Sequence, residues 1–207
     1  MSKYVVYDLE MCHVPKGAKR EEFGSSRELI QIGAVMLNEE YETVDTFMTY
    51  VAPRFGFVDA FIEKLTGITP ANTQNAPSTE DALHAFLDWI PEGATLVSWS
   101  ENDALQIYRE IDGKNIEINE LEDLLYDSID CQWEFEERIR ASRAYSLMEA
   151  LAISGIECDK GAHDALVDAK NTAMLFTKIK LEPELQMSKY YLTEDDMLQY
   201  RHSGLLP

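Results

Sequence analysis

Residues 3–11 read KYVVYDLEM, and the fold follows from how this stretch is read. It is short, rich in Val and Tyr, and free of Gly and Pro, which predicts a β-strand near the middle of a sheet. Side chains alternate across a strand, so Asp8 and Glu10 project from one face, one pleat repeat apart. Two carboxylates on one face of a buried strand are costly unless each has a partner or a metal. On an edge strand the same pair would simply be solvated.

Working outward, residues 29–37 (LIQIGAVML) predict a second strand, Glu39-Glu40 a turn, and 42–51 a third strand. Three consecutive strands with short turns predict an antiparallel meander. Residues 13–28 hold Pro15, Gly17 and Gly24 and read as a loop, with Lys16, Lys19, Arg20 and Arg27 gathered in it. Helical signals follow at 59–65, 78–90, 101–111, 146–153 and 165–179, the second opened by Ser78-x-x-Asp81. Strands at 94–99 and 124–129 bring the count to five. The pattern is that of an α/β chain, a mixed sheet with helices on its faces. A site is expected where strand ends meet near the sheet's middle. Residues 181–207 read as a helical appendage to a domain of residues 1–180, with a second capping pattern, Thr193-x-x-Asp196. That appendage is expected to dock on the domain or on a second subunit.

The chain has 207 residues, with 38 Asp and Glu against 18 Lys and Arg, a net charge of −20. Long nucleic acid is not held by a general cationic surface on such a protein. An anionic substrate must be met locally, by a few basic residues or by bound cations. Nine acidic residues and no Lys or Arg fall between Glu117 and Glu137, which reads as a solvated acidic face. The N-terminus lacks a long apolar segment, and no apolar run is long enough to span a membrane. Cys12, Cys131 and Cys158 are too few and too scattered for a disulfide framework, so a reducing, cytoplasmic setting is expected.

Two further features carry chemistry. Asp103 opens the helix after the fourth strand, where Ser100-x-x-Asp103 also fits simple capping. In residues 161–169, GAHDALVDA, His163 stands at a helix entrance and Asp168 lies five residues on, on a half-buried stripe with Ala165, Thr172 and Leu175. Asp8, Glu10, Asp103 and Asp168 are hard oxygen donors, suited to Mg²⁺ or Mn²⁺ rather than zinc. Four carboxylates exceed what one Mg²⁺ takes from protein, whereas two ions about 3.5–4 Å apart use them all. A histidine of ordinary pKa, about 6.5, takes a proton from water at neutral pH.

YDLE, QIGAV, LTGIT (65–69), SWSEND (98–103) and HDALVDA (163–169), in this order, resemble the motifs of the DEDDh, or DnaQ-like, 3′→5′ exonucleases. The resemblance spans residues 3 to 180 and implies a ribonuclease H-like fold, a five-stranded mixed sheet whose first three strands are antiparallel. It implies that Asp8, Glu10, Asp103 and Asp168 hold two divalent ions, that His163 is the general base, and that Met11 and Thr66 flank the terminal nucleoside. YDLEMC (7–12) and LTGIT look closest to the RNA-trimming, KapD-like branch. The expected activity is removal of nucleoside 5′-monophosphates from 3′ ends of short, single-stranded RNA or DNA. Those ends are either free or presented by a protein partner. The alternative is a catalytically silent module of the same fold that binds metal and nucleotide or docks on protein.

Overall fold

The computed structural model describes residues 2–158, 163–182 and 184–185. Its five-stranded sheet has the order β3-β2-β1-β4-β5. β1 (Ser2–His13) pairs antiparallel with β2 (Arg27–Asn38), which pairs antiparallel with β3 (Thr43–Tyr50). β1 runs parallel to β4 (Thr95–Ser98), and β4 parallel to β5 (Ile129–Asp130). The expected mixed sheet, with three antiparallel strands first, is present, and KYVVYDLEM lies at its centre.

Alternation along β1 sorts its side chains between two cores. Val5, Tyr7 and Leu9 face one core, with Leu83 and Phe86 of α4 (Thr79–Trp89), Ile107 of α5 (Glu101–Lys114) and Leu121 of α6 (Asn119–Tyr126). Val6 faces the other, with Phe135 of α7 (Cys131–Ile139), Leu151 of α8 (Leu147–Ile153) and Phe176 of α9 (Ala165–Leu181). Asp8 and Glu10 continue the Val6 face past the end of that apolar core.

Gly33 of β2 pairs opposite Asp8, and α9 begins directly above it. A Cβ on Gly33 would lie 2.1 Å from the Leu166 backbone nitrogen and 2.3 Å from the Ala165 carbonyl carbon. Only glycine lets the helix reach the sheet here. Gly33→Ala is expected to lift the start of α9, lowering stability by about 1–3 kcal/mol and weakening activity by more than that loss of folded protein explains. Thermal melting alongside activity per folded molecule separates the two effects.

Three local readings need correction. Residues 18–23 of the expected loop form a helix, α1 (Ala18–Phe23). AKREE is made of helix formers, Gly24 closes the helix at φ 77°, and Phe23 is buried against Phe55 with ring centroids 5.0 Å apart. The strand expected at 124–129 shrinks to Ile129–Asp130, because Leu121 and Leu125 are buried one turn apart on α6. Part of the acidic stretch is the helix α7, capped by the Asp130 carboxylate, which accepts from the Trp133 N–H at 2.8 Å. Its Cys131 and Phe135, four apart, are the buried face. Two short helices, α2 (Ala60–Thr66) and α3 (Pro70–Gln74), flank Gly67. The helix expected after Thr193 lies outside the described residues. Among those described, no helix is long and apolar enough to cross a membrane.

Candidate active site

The site lies where the C-terminal half of β1 meets the N-termini of α5 and α9. Glu10 is buried on β1 opposite Gln31, and Asp8 is half-buried opposite Gly33. The pairing slips after Glu10↔Gln31 to Met11↔Leu29, leaving Ile30 as the extra residue of a bulge. Bulges beside a site re-aim the side chains around it.

Asp103 is buried in the first turn of α5. The Ser100 hydroxyl accepts from the N–H and side-chain amide of Asn102, so Asp103 is not used as a capping-box partner. The backbone N–H groups of Leu9 and of Asp103 itself support its carboxylate. Asp168 stands one turn into α9, and its Oδ2 accepts the His163 backbone N–H at 2.9 Å. His163 is exposed in the left-handed region, φ 68°. One ligand-capable atom each of Glu10, His163 and Asp168 falls within 4.8 Å of the others.

Two residues without an assigned role hold this arrangement. Gln31 accepts the Ala165 N–H on Oε1 at 3.0 Å and donates from Nε2 to Asp164 Oδ2 at 3.3 Å. Asp164 caps α9, accepting from the N–H groups of Leu166 and Val167, both at 3.1 Å. Both lie inside quoted motifs, QIGAV and HDALVDA, and Asp164 just before a helical stretch is a legible cap signal. Met11 is half-buried on β1 next to Glu10. Thr66 is buried at the end of α2, where its hydroxyl donates to the Ile62 carbonyl at 2.9 Å and accepts the Ile68 N–H at 3.0 Å. The structure therefore gathers Asp8, Glu10, Asp103, Asp168 and His163, with Met11 adjoining, while Thr66 is spent on local bonds.

The carboxylates crowd one another. Burial, then Asp168, Asp103 and Asp164, push Glu10 up to about 8. Burial pushes Asp103 up to about 7, against the two N–H groups that support it. Asp8 is raised well above the ordinary carboxylate range by burial, then by Asp103, Glu10, Asp168 and Asp164. Unbalanced negative charge on hard oxygen donors in a cleft is what a divalent cation relieves. A pH signature follows for the protein kept in EDTA. The raised carboxyls hold protons that the unfolded chain, with carboxyl pKa values near 4, has already lost. The folded state therefore binds more protons between about pH 4 and pH 8, and stability falls as pH rises through that window. Melting temperatures measured from pH 5 to 8 should drop in EDTA and flatten with Mn²⁺.

Residues 5–176 match RNase_T, the exonuclease family, and the chain belongs to that family. It is 30% identical over 156 residues to DNA polymerase III subunit epsilon of Aquifex aeolicus (strain VF5), covering 73% of this chain and 71% of that protein. It is 28% identical over 177 residues to the PolC-type DNA polymerase III of Caldanaerobacter subterraneus subsp. tengcongensis, covering 86% of this chain but 11% of the polymerase. Among solved structures, the nuclease domain of 3′hExo, a DEDDh family member bound to rAMP, superposes with TM-score 0.73 at 20% identity. That match covers 90% of this chain and 96% of that domain. The chain thus has the ribonuclease H-like fold that the 3′hExo nuclease domain also has. The similarities reach polymerase-associated and rAMP-bound relatives alike, so they support the family and do not single out the KapD-like branch.

Proposed function

We propose that the chain is a 3′→5′ exonuclease that hydrolyses the terminal phosphodiester of single-stranded or short nucleic acid and releases a nucleoside 5′-monophosphate. The observation that carries this reading is the convergence of Asp8, Glu10, Asp103 and Asp168 at one end of the sheet, with the exposed His163 within 4.8 Å of Glu10 and Asp168. The four acids are hard donors with uncompensated charge, and they fit a pair of Mg²⁺ or Mn²⁺ ions. Bound there, such ions supply Lewis acidity to the phosphate and ease ionisation of the attacking water. Asp8, Glu10 and Asp168 would hold the ions, with Asp103 completing the set from α5. In this reading His163, with a ring nitrogen within 4.8 Å of a Glu10 and an Asp168 carboxylate oxygen, takes the water proton on its imidazole. Water oxygen attacks phosphorus, the bond to the upstream 3′ oxygen breaks, and that oxygen leaves with a proton. Met11 borders the terminal nucleoside. The rAMP held by the 3′hExo domain is of the same chemical class as the product proposed here.

The test is digestion of labelled RNA and DNA oligonucleotides, with free or blocked 3′ ends, in Mn²⁺ or EDTA. Single-nucleotide ladders from free ends only, absent in EDTA, are expected. Intact substrates despite Asp8-dependent metal binding would instead support the silent-module reading.

A further inference from the structure

Beside the carboxylates lies a cavity of about 580 Å³, between residues 24–27, which follow α1, and α5. Met11 and Asn102, the sequence neighbours of Glu10 and Asp103, line it together with Arg27 and Arg109. Asn102, Gln106 and Arg109 fall on one face of α5, at positions i, i+4 and i+7. Seven residues at 1.5 Å rise carry that face about 10 Å away from the cleft.

We propose that this cavity grips the phosphate of the nucleotide immediately upstream of the scissile bond, with Arg27 and Arg109 as its donors. The inference rests on the exonuclease reading above and names what that site requires beyond the bond it cuts. Three observations carry it. No acidic residue lines the cavity, in a chain with 38 of them. Arg27 and Arg109 are both exposed, and neither meets a carboxylate among the described residues. By contrast, nearby arginines are spoken for. Arg20 turns back on the Val14 carbonyl, and Arg54 lies 3.5 Å from Glu22 and over the Phe55 ring. Guanidinium groups left open beside a phosphodiester site suit a phosphate, which they bind with directed, charge-assisted hydrogen bonds.

The position of Arg27 is also fixed. Its carbonyl accepts from Gln106 Nε2 at 3.1 Å and from the Ser25 hydroxyl at 2.9 Å, tying residues 25–27 to α5. The acidic stretch 117–137 lies on α6, β5 and α7 and contributes no residue to the cavity wall, although its Asp130 reaches the N-terminus of α5 and accepts the Glu101 N–H at 3.2 Å. The exposed charges around α1 are mixed, Lys16 and Lys19 with Glu21 and Glu22, so the phosphate contact falls to Arg27 and Arg109 themselves.

The experiment compares two dinucleotides that differ only in a 5′ phosphate, together with the p-nitrophenyl ester of thymidine 5′-monophosphate, which has nothing upstream. Wild-type protein is expected to favour the 5′-phosphorylated dinucleotide by about 10- to 100-fold in kcat/KM. In R27A/R109A that preference should fall to within about threefold, and R27K/R109K should restore part of it. Both arginines are exposed, so melting temperature checks that folding is retained. Equal use of both dinucleotides by the wild type, or a preference that survives R27A/R109A, overturns this inference and leaves the exonuclease standing. Failure of the wild type to cleave any of the three, the ester included, overturns both.

Discussion

Asp8→Asn is expected to lower exonuclease activity by on the order of 10³-fold and, in the same protein, to raise the melting temperature measured in EDTA. The two effects have one cause. Asp8 stands among Asp103, Glu10, Asp168 and Asp164, and each of these raises its pKa. The amide keeps the volume and most contacts of the carboxyl while removing one negative charge from the cluster. Without a cation this relieves repulsion, so the fold gains. With substrate and metal, a hard anionic ligand is lost, and metal-derived stabilisation of the transition state is worth several kcal/mol. Each 1.36 kcal/mol is a factor of ten in rate. Gel ladders in Mn²⁺ and thermal melting in EDTA provide the two readings. Lost activity with a lower melting temperature would mark Asp8 as a structural residue, and retained activity would remove it from the site.

The parts of this site visible in the sequence are those that local geometry dictates. Period-two alternation alone puts Asp8 and Glu10 on one face, and β1 does so. Asp103 and Asp168 each follow a helix entrance, and helix starts carry capping signals that survive in a single sequence. What could not be read depends on contacts between distant residues. Gln31 reaches Ala165 across 134 positions and Asp164 across 133. No periodicity shows that Gly33 is where α9 touches the sheet. The misread strand at 124–129 has a different origin. Adjacent Leu124 and Leu125 fit either period, and burial of Leu121 with Leu125 decides for the helix. The basic residues at 13–28 were legible as a cluster, but not which of them remain open. Arg20 and Arg27 look alike until the fold turns one inward and leaves the other at the cavity.

Lys114→Met is expected to destabilise the protein by about 3–5 kcal/mol, since it strips the cation from a buried charge cluster. For a chain of this size that corresponds to a fall of about 6–20 °C in melting temperature. The Lys114 ammonium lies 2.7 Å from Glu28 Oε1 and 2.7 Å from Glu110 Oε2, with its side chain 7% exposed and both carboxylates fully buried. Glu110 Oε2 has no partner besides the Lys114 ammonium, so removing the lysine leaves that buried oxygen bare. Burial pushes Glu110 up while Lys114 pulls it down. Each carboxylate also fastens backbone. Glu28 accepts the N–H groups of Arg54, Phe55 and Gly56, and Glu110 accepts that of Leu29 at 2.7 Å and the Gln106 amide at 2.7 Å. Methionine keeps an unbranched apolar stem one atom shorter than lysine but leaves two buried acids with no cation between them. Adding Glu110→Gln should recover part of the loss, because one of those acids is then neutral and the amide still offers an oxygen to Leu29. Such non-additivity is the signature of direct coupling. A variant melting within a degree of wild type would instead mean that water reaches the cluster. Gln106 links this cluster to Arg27, so the damage should spread to the cavity wall and reduce discrimination for the 5′-phosphorylated dinucleotide in whatever protein remains folded.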